Sequence, residues 1–282
     1  MDADIAIDVR GLHKRYGQQA AVDGLDLDVR RGEVFALLGP NGAGKTTTVE
    51  ILEGYRRRDS GEVQVLGEDP GRPARAWRSR IGIVLQSVND AAELTVQEMV
   101  THFACYYPDA RSPDEVIDLV GLTEKRRARI RQLSGGQRRR LDVALGILGR
   151  PELLFLDEPT TGFDPEARRQ FWSLIHQLND EDTTILLTTH YLEEAEALAD
   201  RVGVVNAGRI MEVGPPQTLG GRDRGAATVS WMGPDGAQTK QTDTPTALVA
   251  QLAAGFDGEI PGLSVHRPSL EEVYLAMIGS SR

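Results

Sequence analysis

The amino-acid sequence predicts an α/β protein whose centre is a parallel β-sheet. Three largely apolar runs, Val34–Leu38, Leu153–Leu156 and Thr184–Thr189, have the length and composition of strands buried on both faces. Glycine-rich or polar residues follow each run, and helical patterns separate the runs along the chain. Strands that alternate with helices favour a parallel sheet, and functional side chains then collect at its carboxyl-terminal edge.

Length and composition indicate one large domain followed by a smaller one. The chain has 282 residues, 40% of them hydrophobic, and no apolar run reaches the roughly 20 residues that cross a bilayer. Asp2, Asp4 and Asp8 lie where a secretion signal would be basic and then apolar, so we expect a cytoplasmic protein. The net charge of −10 argues against a nucleic-acid partner. Cys105 is the only cysteine, which excludes an intrachain disulfide, and we expect it to be buried.

The amino-terminal residues predict antiparallel strands that precede the parallel sheet. Apolar and mostly polar residues alternate at Ile5–Val9 and at Leu25–Val29, as in half-buried strands. A further short strand is predicted at Glu62–Val65. Tyr16, between the first two strands, is either an ordinary turn aromatic or a ring on which a purine base stacks.

A phosphate-binding loop follows the first buried strand, because the sequence there reads G-x-x-x-x-G-K-[ST]. Backbone N–H groups in such a loop and at the start of the next helix attract phosphate oxygens. Lys45 supplies a charge for the outer phosphates, and the Thr46 hydroxyl can ligate Mg²⁺. A glycine-rich turn without a ligand is the alternative, but it does not explain a lysine in a chain that contains only four. The candidate nucleotide-binding residues are Gly39, Pro40, Asn41, Gly42, Ala43, Gly44, Lys45, Thr46 and Thr47.

Residues 87–150 predict a helical segment inserted between strands. Val96, Met99, Val100 and Phe103 have helical spacing, and Ser112 can cap a following helix. The strand before this segment is predicted at Ile81–Leu85 and ends at Gln86.

Two polar features lie at the end of the helical segment. The basic run Lys125–Arg131 is either a solvated helix face or a docking surface for anions. Ser134, Gly135, Gly136 and Gln137 form a second glycine-bearing helix start that attracts anions. One nucleotide does not need two such sites from one chain, so two chains arranged head to tail would let each complete the nucleotide site of the other.

The side chains at the ends of the buried strands fit metal-dependent phosphoryl transfer to water. Asp157 ends the buried strand and is placed to coordinate Mg²⁺. Side chains alternate along a strand, so the Glu158 side chain is expected to point away from that of Asp157. Glu158 is therefore suited to act as the general base. Gln86 and His190 each end a strand, so a parallel sheet would bring both near Lys45.

The carboxyl-terminal residues predict a small α+β module. Gly214–Pro216 marks the boundary between a domain at residues 1–215 and the module at residues 216–282. We expect strands near Ala227–Trp231 and Ser264–His266, a helix near Ala247–Ala253 and a last amphipathic helix. The apolar stripe of that helix is assigned to core packing, with a dimer or partner surface as the alternative.

The order of these motifs resembles the ATP-binding subunit of an ATP-binding-cassette (ABC) transporter. GPNGAGKT matches the Walker A motif, LSGGQ at Leu133–Gln137 the signature, and LLFLDEP the Walker B strand. The resemblance makes Tyr16 the adenine-stacking aromatic, Asp164 the D-loop aspartate and His190 the switch histidine. It makes Gln86 the Q-loop glutamine, which joins Thr46 and Asp157 as a metal ligand. The sequence departs from the family at Phe163 of the D-loop, where the family usually has leucine. The residues assigned to catalysis are Lys45, Gln86, Glu158 and His190.

This resemblance implies a P-loop ABC ATPase core with an antiparallel β subdomain and an inserted helical subdomain. It implies binding of ATP and Mg²⁺, a second ATPase subunit in a homodimer and an integral-membrane permease that holds the protein at the inner face of the membrane. The tail at Arg267–Tyr274 resembles the daunorubicin-resistance efflux subfamily, which implies export of a drug, lipid or glycan. The alternatives are a soluble ABC-type ATPase that acts on ribosomes or DNA and a nucleotide sensor without turnover.

Overall fold

The structure, a computed structural model, describes residues 4–84, 92–222, 227–233, 236–256 and 258–279. The chain divides into two compact units, Met1–Val213 and Gly214–Arg282. In chain order the strands are β1 (Ile5–Tyr16), β2 (Gln19–Arg30), β3 (Val34–Leu38), β4 (Ser60–Val65), β5 (Ile81–Val84), β6 (Leu153–Asp157), β7 (Thr184–Thr189), β8 (Arg201–Asn206), β9 (Arg209–Gly214), β10 (Ala227–Gly233), β11 (Gly236–Thr242) and β12 (Ser264–His266). The helices are α1 (Lys45–Leu52), α2 (Arg75–Arg78), α3 (Val96–Ala104), α4 (Pro113–Leu119), α5 (Gly135–Ile147), α6 (Pro165–Asp180), α7 (Leu192–Leu198), α8 (Pro245–Ala253) and α9 (Leu270–Gly279).

The first unit is built on a mixed sheet in the order β5-β6-β7-β3-β8-β9. β3 pairs in parallel with β7 and β8, and β6 pairs in parallel with β5 and β7. Leu38 is opposite Thr189, and Asp157 is opposite Thr188. The ends of β3, β7 and β6 therefore meet at one edge of the sheet, as the sequence predicts for the strands that carry the candidate site.

An antiparallel sheet in the order β2-β1-β4 packs on one face of the mixed sheet. Its inward residues share a core with Phe35, Leu37 and Phe155, all of them fully buried. β1 and β2 are longer than predicted, and Tyr16 lies in β1 rather than in a turn between the strands. The pairing of β1 with β2 contains register shifts around Leu12. These shifts interrupt the alternation of apolar and polar residues, so the sequence pattern indicates only part of each strand.

The helices α3, α4 and α5 form the predicted helical segment. Thr95 caps α3 in a reciprocal arrangement with Glu98, and Pro113 occupies the first turn of α4 after Ser112. α5 packs closely on β5, because a Cβ on Gly82 would lie 2.3 Å from the carbonyl oxygen of Gly146. Such an approach of helix to strand requires glycine at this contact.

Cys105 is exposed, so the prediction that it is buried is wrong. The buried positions of α3 are Val96, Met99 and Val100, and Cys105 follows the helix outside that face. Its Sγ atom lies 3.4 Å from the carbonyl oxygen of Thr101 in the same helix.

The second unit is an antiparallel sheet in the order β11-β10-β12 with the helices α8 and α9. Its buried side chains include Ala227, Val229, Leu248 and Leu270. The sequence predicts every one of these elements except β11, which carries polar, mostly exposed residues and so has no apolar alternation. The fold as a whole confirms the predicted α/β class with an antiparallel subdomain, a helical insertion and a small α+β module. In the part of the chain that the structure describes, no helix has the length and apolarity that crossing a bilayer requires.

Candidate functional site

The phosphate-binding loop connects β3 to α1, and its backbone geometry depends on glycine. Gly44 has φ of +103°, and a Cβ there would lie 2.3 Å from the carbonyl oxygen of Ala21. The loop therefore passes so close to β2 that a side chain at this position has no room. Lys45 begins α1 directly after this residue.

The Lys45 side chain is turned back into the loop. It is only 5% exposed, and Nζ donates hydrogen bonds to the carbonyl oxygens of Gly39 at 2.7 Å and Pro40 at 3.2 Å. Burial lowers the pKa of this amine, while the charges of Glu158 and Asp157 oppose that shift. A buried cation whose direct hydrogen bonds go to neutral carbonyls is suited to receive phosphate oxygens.

Asp157 ends β6 beside the start of α1. Its Oδ2 lies 3.5 Å from the Thr46 hydroxyl, and its Oδ1 accepts a hydrogen bond from the Thr188 hydroxyl. Carboxylate and hydroxyl oxygens are hard donors of the kind that Mg²⁺ prefers, so this pair fits the predicted metal. Among the described residues, no group of three or more His, Cys, Asp or Glu side chains could hold a metal ion alone. An ion at Asp157 would depend on nucleotide phosphates and water for its remaining ligands.

Glu158 follows β6 with a left-handed backbone, at φ of 45°. Its amide N–H donates to the carbonyl oxygen of Thr188 at 3.2 Å and to its hydroxyl at 3.0 Å, which hold the turn in place. Its carboxylate Oε1 lies 3.9 Å from Lys45 Nζ and 3.2 Å from Nδ1 of His190. Glu158 and Asp157 thus contact different partners, because of this turn rather than because of strand alternation.

His190 follows β7 and faces Glu158. Its Nδ1 is buried and makes no hydrogen bond of good geometry, even though Oε1 of Glu158 is only 3.2 Å away. Its ring packs on Tyr191 with the ring centroids 4.1 Å apart. Among the described residues, this histidine nitrogen therefore has no hydrogen-bond partner of good geometry at the site.

The other candidate residues lie around this group. Tyr16 is 44% exposed, and the guanidinium of Arg56 lies 5.3 Å from its ring centroid, so much of the ring remains open for stacking. Asp164 caps α6 by accepting a hydrogen bond from the amide of Ala167 at 2.8 Å. Phe163, the departure from the usual leucine, packs edge-on against Phe171. Gln86 lies outside the described residues.

The signature residues begin α5. The Ser134 hydroxyl accepts a hydrogen bond from the amide of Gln137, and the Gln137 side chain accepts one from the amide of Ser134. Both Ser134 and Gly135 are exposed. Among the described residues, the hydrogen bonds and ion pairs join Lys45, Asp157, Glu158 and His190 to one another or to their neighbours, and none joins them to the signature.

Sequence reasoning missed Thr188 and Arg139, which support this site. Thr188 bonds both Asp157 and Glu158. Arg139 in α5 is 8% exposed, and its guanidinium donates to the carbonyl oxygens of Asp157 at 2.6 Å and Pro159 at 3.2 Å. The sequence holds Arg139 within a run of three arginines, and nothing there distinguishes the buried one from its exposed neighbour Arg138.

Comparison with known proteins agrees with this geometry. Residues 22–161 match the family described as ABC transporter. A daunorubicin resistance ATP-binding protein, DrrA3, of Streptomyces coeruleorubidus is 40% identical, and the similarity covers 99% of this chain and 98% of that protein. Nod factor export ATP-binding protein I of Ralstonia nicotianae is 41% identical over 97% of this chain and 94% of that protein. The solved structure of cbiO1 from Clostridium perfringens, part of the ABC transporter complex cbiONQ, is 28% identical with a TM-score of 0.68, covering 77% of this chain and 90% of that one.

Proposed function

The chain belongs to the ABC transporter family as one of its ATP-hydrolysing subunits, and from this premise we propose that it powers export of a drug, lipid or glycan through a separate membrane permease. The similarity to the drug-resistance and Nod factor export proteins extends over nearly the whole chain, the carboxyl-terminal unit included. These relatives give no support to the alternative of a soluble ATPase that acts on ribosomes or DNA.

The observation that carries the catalytic proposal is the grouping of Lys45, Asp157, Glu158 and His190 at one edge of the parallel sheet. Lys45 and the loop amides bind the phosphates of ATP, and Tyr16 stacks on the adenine. Thr46 and Asp157, with Gln86 outside the described residues, are the proposed ligands of Mg²⁺. When bound, that ion neutralises charge on the outer phosphates.

Glu158 acts as the general base of the proposed reaction. It accepts a proton from water while the water oxygen bonds to the γ-phosphorus, and the bond from that phosphorus to the bridging oxygen of ADP breaks. His190 is placed beside Glu158 to orient the base and the γ-phosphate. The separation of the signature from Lys45 supports a head-to-tail dimer, in which Ser134–Gln137 and Asp164 of one chain complete the site of the other.

The test of the base is Glu158→Gln, which keeps the shape of the side chain and removes its basicity. We expect hydrolysis to fall by about 10²–10⁴-fold, since that is the usual loss for a general base, with MgATP still bound and a dimer accumulating. Phosphate release and light scattering after gel filtration measure the two effects. Glu193→Gln is the matched control, because the Glu193 side chain is 80% exposed. Wild-type turnover by Glu158→Gln would exclude Glu158 as the base.

The transport part of the proposal is tested by isolating the tagged chain from membranes of the cell that encodes it. We expect a polytopic membrane protein to co-purify in a fixed ratio. Recovery with ribosomes or DNA and without any membrane protein would contradict it.

A further inference from the structure

The chain turns sharply where α1 ends, and this turn fixes the position of Arg56. Gly54 has φ of +74°, and a Cβ on it would lie 2.6 Å from the carbonyl oxygen of Pro70, so this contact requires glycine. The amide N–H of Arg56 donates to the carbonyl oxygen of Glu50 in α1 at 2.9 Å and closes the turn. The backbone of Arg56 is therefore held against the helix that begins at Lys45.

The Arg56 side chain is tied to the same residue of α1. Its Nε donates to Oε2 of Glu50 at 2.5 Å, and the two side chains are 33% and 23% exposed. Because both side chains are mostly shielded from water, salt screens this pair less than it screens a fully exposed pair. The guanidinium, which keeps its charge at every pH of interest, therefore has a fixed place beside α1.

This guanidinium lies over the aromatic ring of Tyr16. Its Cζ is 5.3 Å from the ring centroid, within the roughly 6 Å at which a cation is attracted to an aromatic face. Lys14 on β1 is a second cation at this ring, with Nζ 5.8 Å from the centroid, and it pairs with Asp59 at 2.7 Å. Arg56 is the cation that connects the ring to α1, and Tyr16 still has 44% of its surface exposed.

Through these contacts α1 bears on both ends of a bound nucleotide. Lys45, its first residue, is placed for the phosphates, and Glu50 in its second turn holds the guanidinium that lies over Tyr16. An α-helix has a fixed rise of about 1.5 Å per residue, so the spacing between these two positions does not vary. The phosphate-binding loop and the aromatic ring are therefore referred to one rigid element.

We propose that Arg56 is a positioning residue for ATP binding, which holds the Tyr16 ring at a fixed place relative to α1 so that the ring is ready to stack on the base. The inference rests on the proposed stacking of adenine on Tyr16 and adds the residue that orders the ring before the nucleotide arrives. A side chain that is already ordered loses less conformational entropy on binding than a mobile one. The contribution of Arg56 therefore belongs to the affinity for ATP and not to the rate of the chemical step.

The kinetic test measures kcat and KM for ATP with the full-length chain, by phosphate release. We expect Arg56→Gln to raise KM by about two- to fivefold with kcat unchanged, which is the effect of losing one cation–π contact at an exposed site. Arg56→Lys keeps a cation within reach of the ring and should give an intermediate KM. Arg57→Gln is the matched control, since it makes the same charge change at the next residue, which is exposed, and should leave KM and kcat as in wild type.

A double-mutant cycle shows whether Arg56 acts through the ring. Tyr16→Ala removes the stacking surface and should raise KM by itself, and adding Arg56→Gln to it should raise KM no further. Tyr16→Phe keeps the ring, so adding Arg56→Gln to that variant should raise KM again. Glu50→Gln removes the charge that anchors the guanidinium, and it should raise KM in the chain with Tyr16 but not in Tyr16→Ala. Equal melting temperatures of Arg56→Gln and Arg57→Gln verify that the fold is intact.

The outcomes separate this inference from the proposed function. An unchanged KM for folded Arg56→Gln, or a lower kcat at an unchanged KM, would overturn the inference and leave ATP hydrolysis in place. An equal rise of KM in the Tyr16→Ala background would also overturn it, because Arg56 would then act on the nucleotide without the ring. A wild-type KM for Tyr16→Ala would contradict adenine stacking and the inference together, and a wild-type chain that hydrolyses no ATP would contradict the proposed function as a whole.

Discussion

Glu158, the proposed base, shows how the position of a side chain is set by the backbone of a single residue. A left-handed conformation costs a residue with a Cβ about 1–2 kcal/mol, and Glu158 adopts it with φ of 45°. Two hydrogen bonds from its amide to Thr188 hold the turn against that cost. The turn separates the carboxylate from that of Asp157 and brings it within 3.2 Å of His190. Two adjacent acids can therefore take different roles at one strand end.

Glu53 predicts a pH dependence of stability at the same scale. Burial raises its pKa from 4.5 to about 8, so the folded state binds this proton more tightly than the unfolded state does. The stabilisation from proton binding is full below pH 4.5 and is lost as the pH rises toward 8. Glutamine at this position cannot ionise. We therefore expect Glu53→Gln to raise the melting temperature relative to wild type, by an amount that grows between pH 5 and pH 8.5.

Thermal unfolding of the isolated chain at several pH values measures this difference, with Glu62→Gln, at an exposed residue of β4, as the control for a general charge effect. A difference in melting temperature that stays constant with pH would contradict the raised pKa of the buried Glu53 carboxyl group.

At the scale of elements, α5 joins the signature to the strand end that carries Asp157 and Glu158. The buried Arg139 guanidinium reaches from the second turn of α5 to the carbonyl oxygens of Asp157 and Pro159. Any movement of α5 must therefore carry the loop around Glu158 with it or break these bonds.

This link predicts the effect of Arg139→Met. The substitution keeps an unbranched, apolar stem but removes the guanidinium that donates to the two carbonyl groups, so we expect a loss of about 2–3 kcal/mol in the free energy of unfolding. We also expect slower hydrolysis, because the loop that positions Glu158 is less restrained. Urea unfolding and phosphate release measure the two effects.

Arg138→Met is the matched control for this prediction. Arg138 is exposed, and its Nε donates a hydrogen bond to the carbonyl oxygen of Leu133 near the same helix start. Its replacement should change the free energy of unfolding by no more than about 0.5 kcal/mol. Equal losses in the free energy of unfolding would show that the buried hydrogen bonds of Arg139 stabilise the fold no more than the exposed one of Arg138.

The elements also show what can be predicted from the sequence. β3, β6 and β7 are fully buried strands, and their continuous apolar runs and the motifs at their ends were sufficient to predict the edge where Lys45, Asp157 and His190 meet. β11 was missed because it is a polar, exposed strand, for which periodicity gives no signal. The burial of Arg139 and of Glu53 depends on tertiary packing, which residue spacing along the chain does not contain.

At the scale of the whole molecule, the residues proposed to bind and hydrolyse ATP lie in one unit. Lys45, the signature, Asp157 and His190 all belong to Met1–Val213, and Gly214–Arg282 has its own sheet and buried side chains. Among the residues of this unit that the structure describes, no hydrogen bond or ion pair joins the signature to Lys45 of the same chain. That separation makes the second chain, rather than the second unit, the expected source of the missing half of the site.

A mixed dimer tests this arrangement. Lys45→Ala removes the loop half of a site, and Ser134→Arg blocks the signature half, so each variant alone should hydrolyse little ATP. In a dimer of a Lys45→Ala chain with a Ser134→Arg chain, one site combines the intact loop of the Ser134→Arg chain with the intact signature of the Lys45→Ala chain. Random pairing makes half of the dimers mixed, so an equal mixture should regain up to roughly a quarter of the complete sites.

Phosphate release from the mixture, compared with that of each variant alone, measures this recovery. Lys45→Ala mixed with Glu158→Gln is the control, because both substitutions lie in the same half of the site and no pairing makes a complete one. Recovery in the first mixture but not in the control is the result that a shared site requires, since only there can two defective chains supply one intact loop and one intact signature. Equal rates in the two mixtures would mean that each chain hydrolyses ATP with its own residues, and the head-to-tail dimer would have to be abandoned.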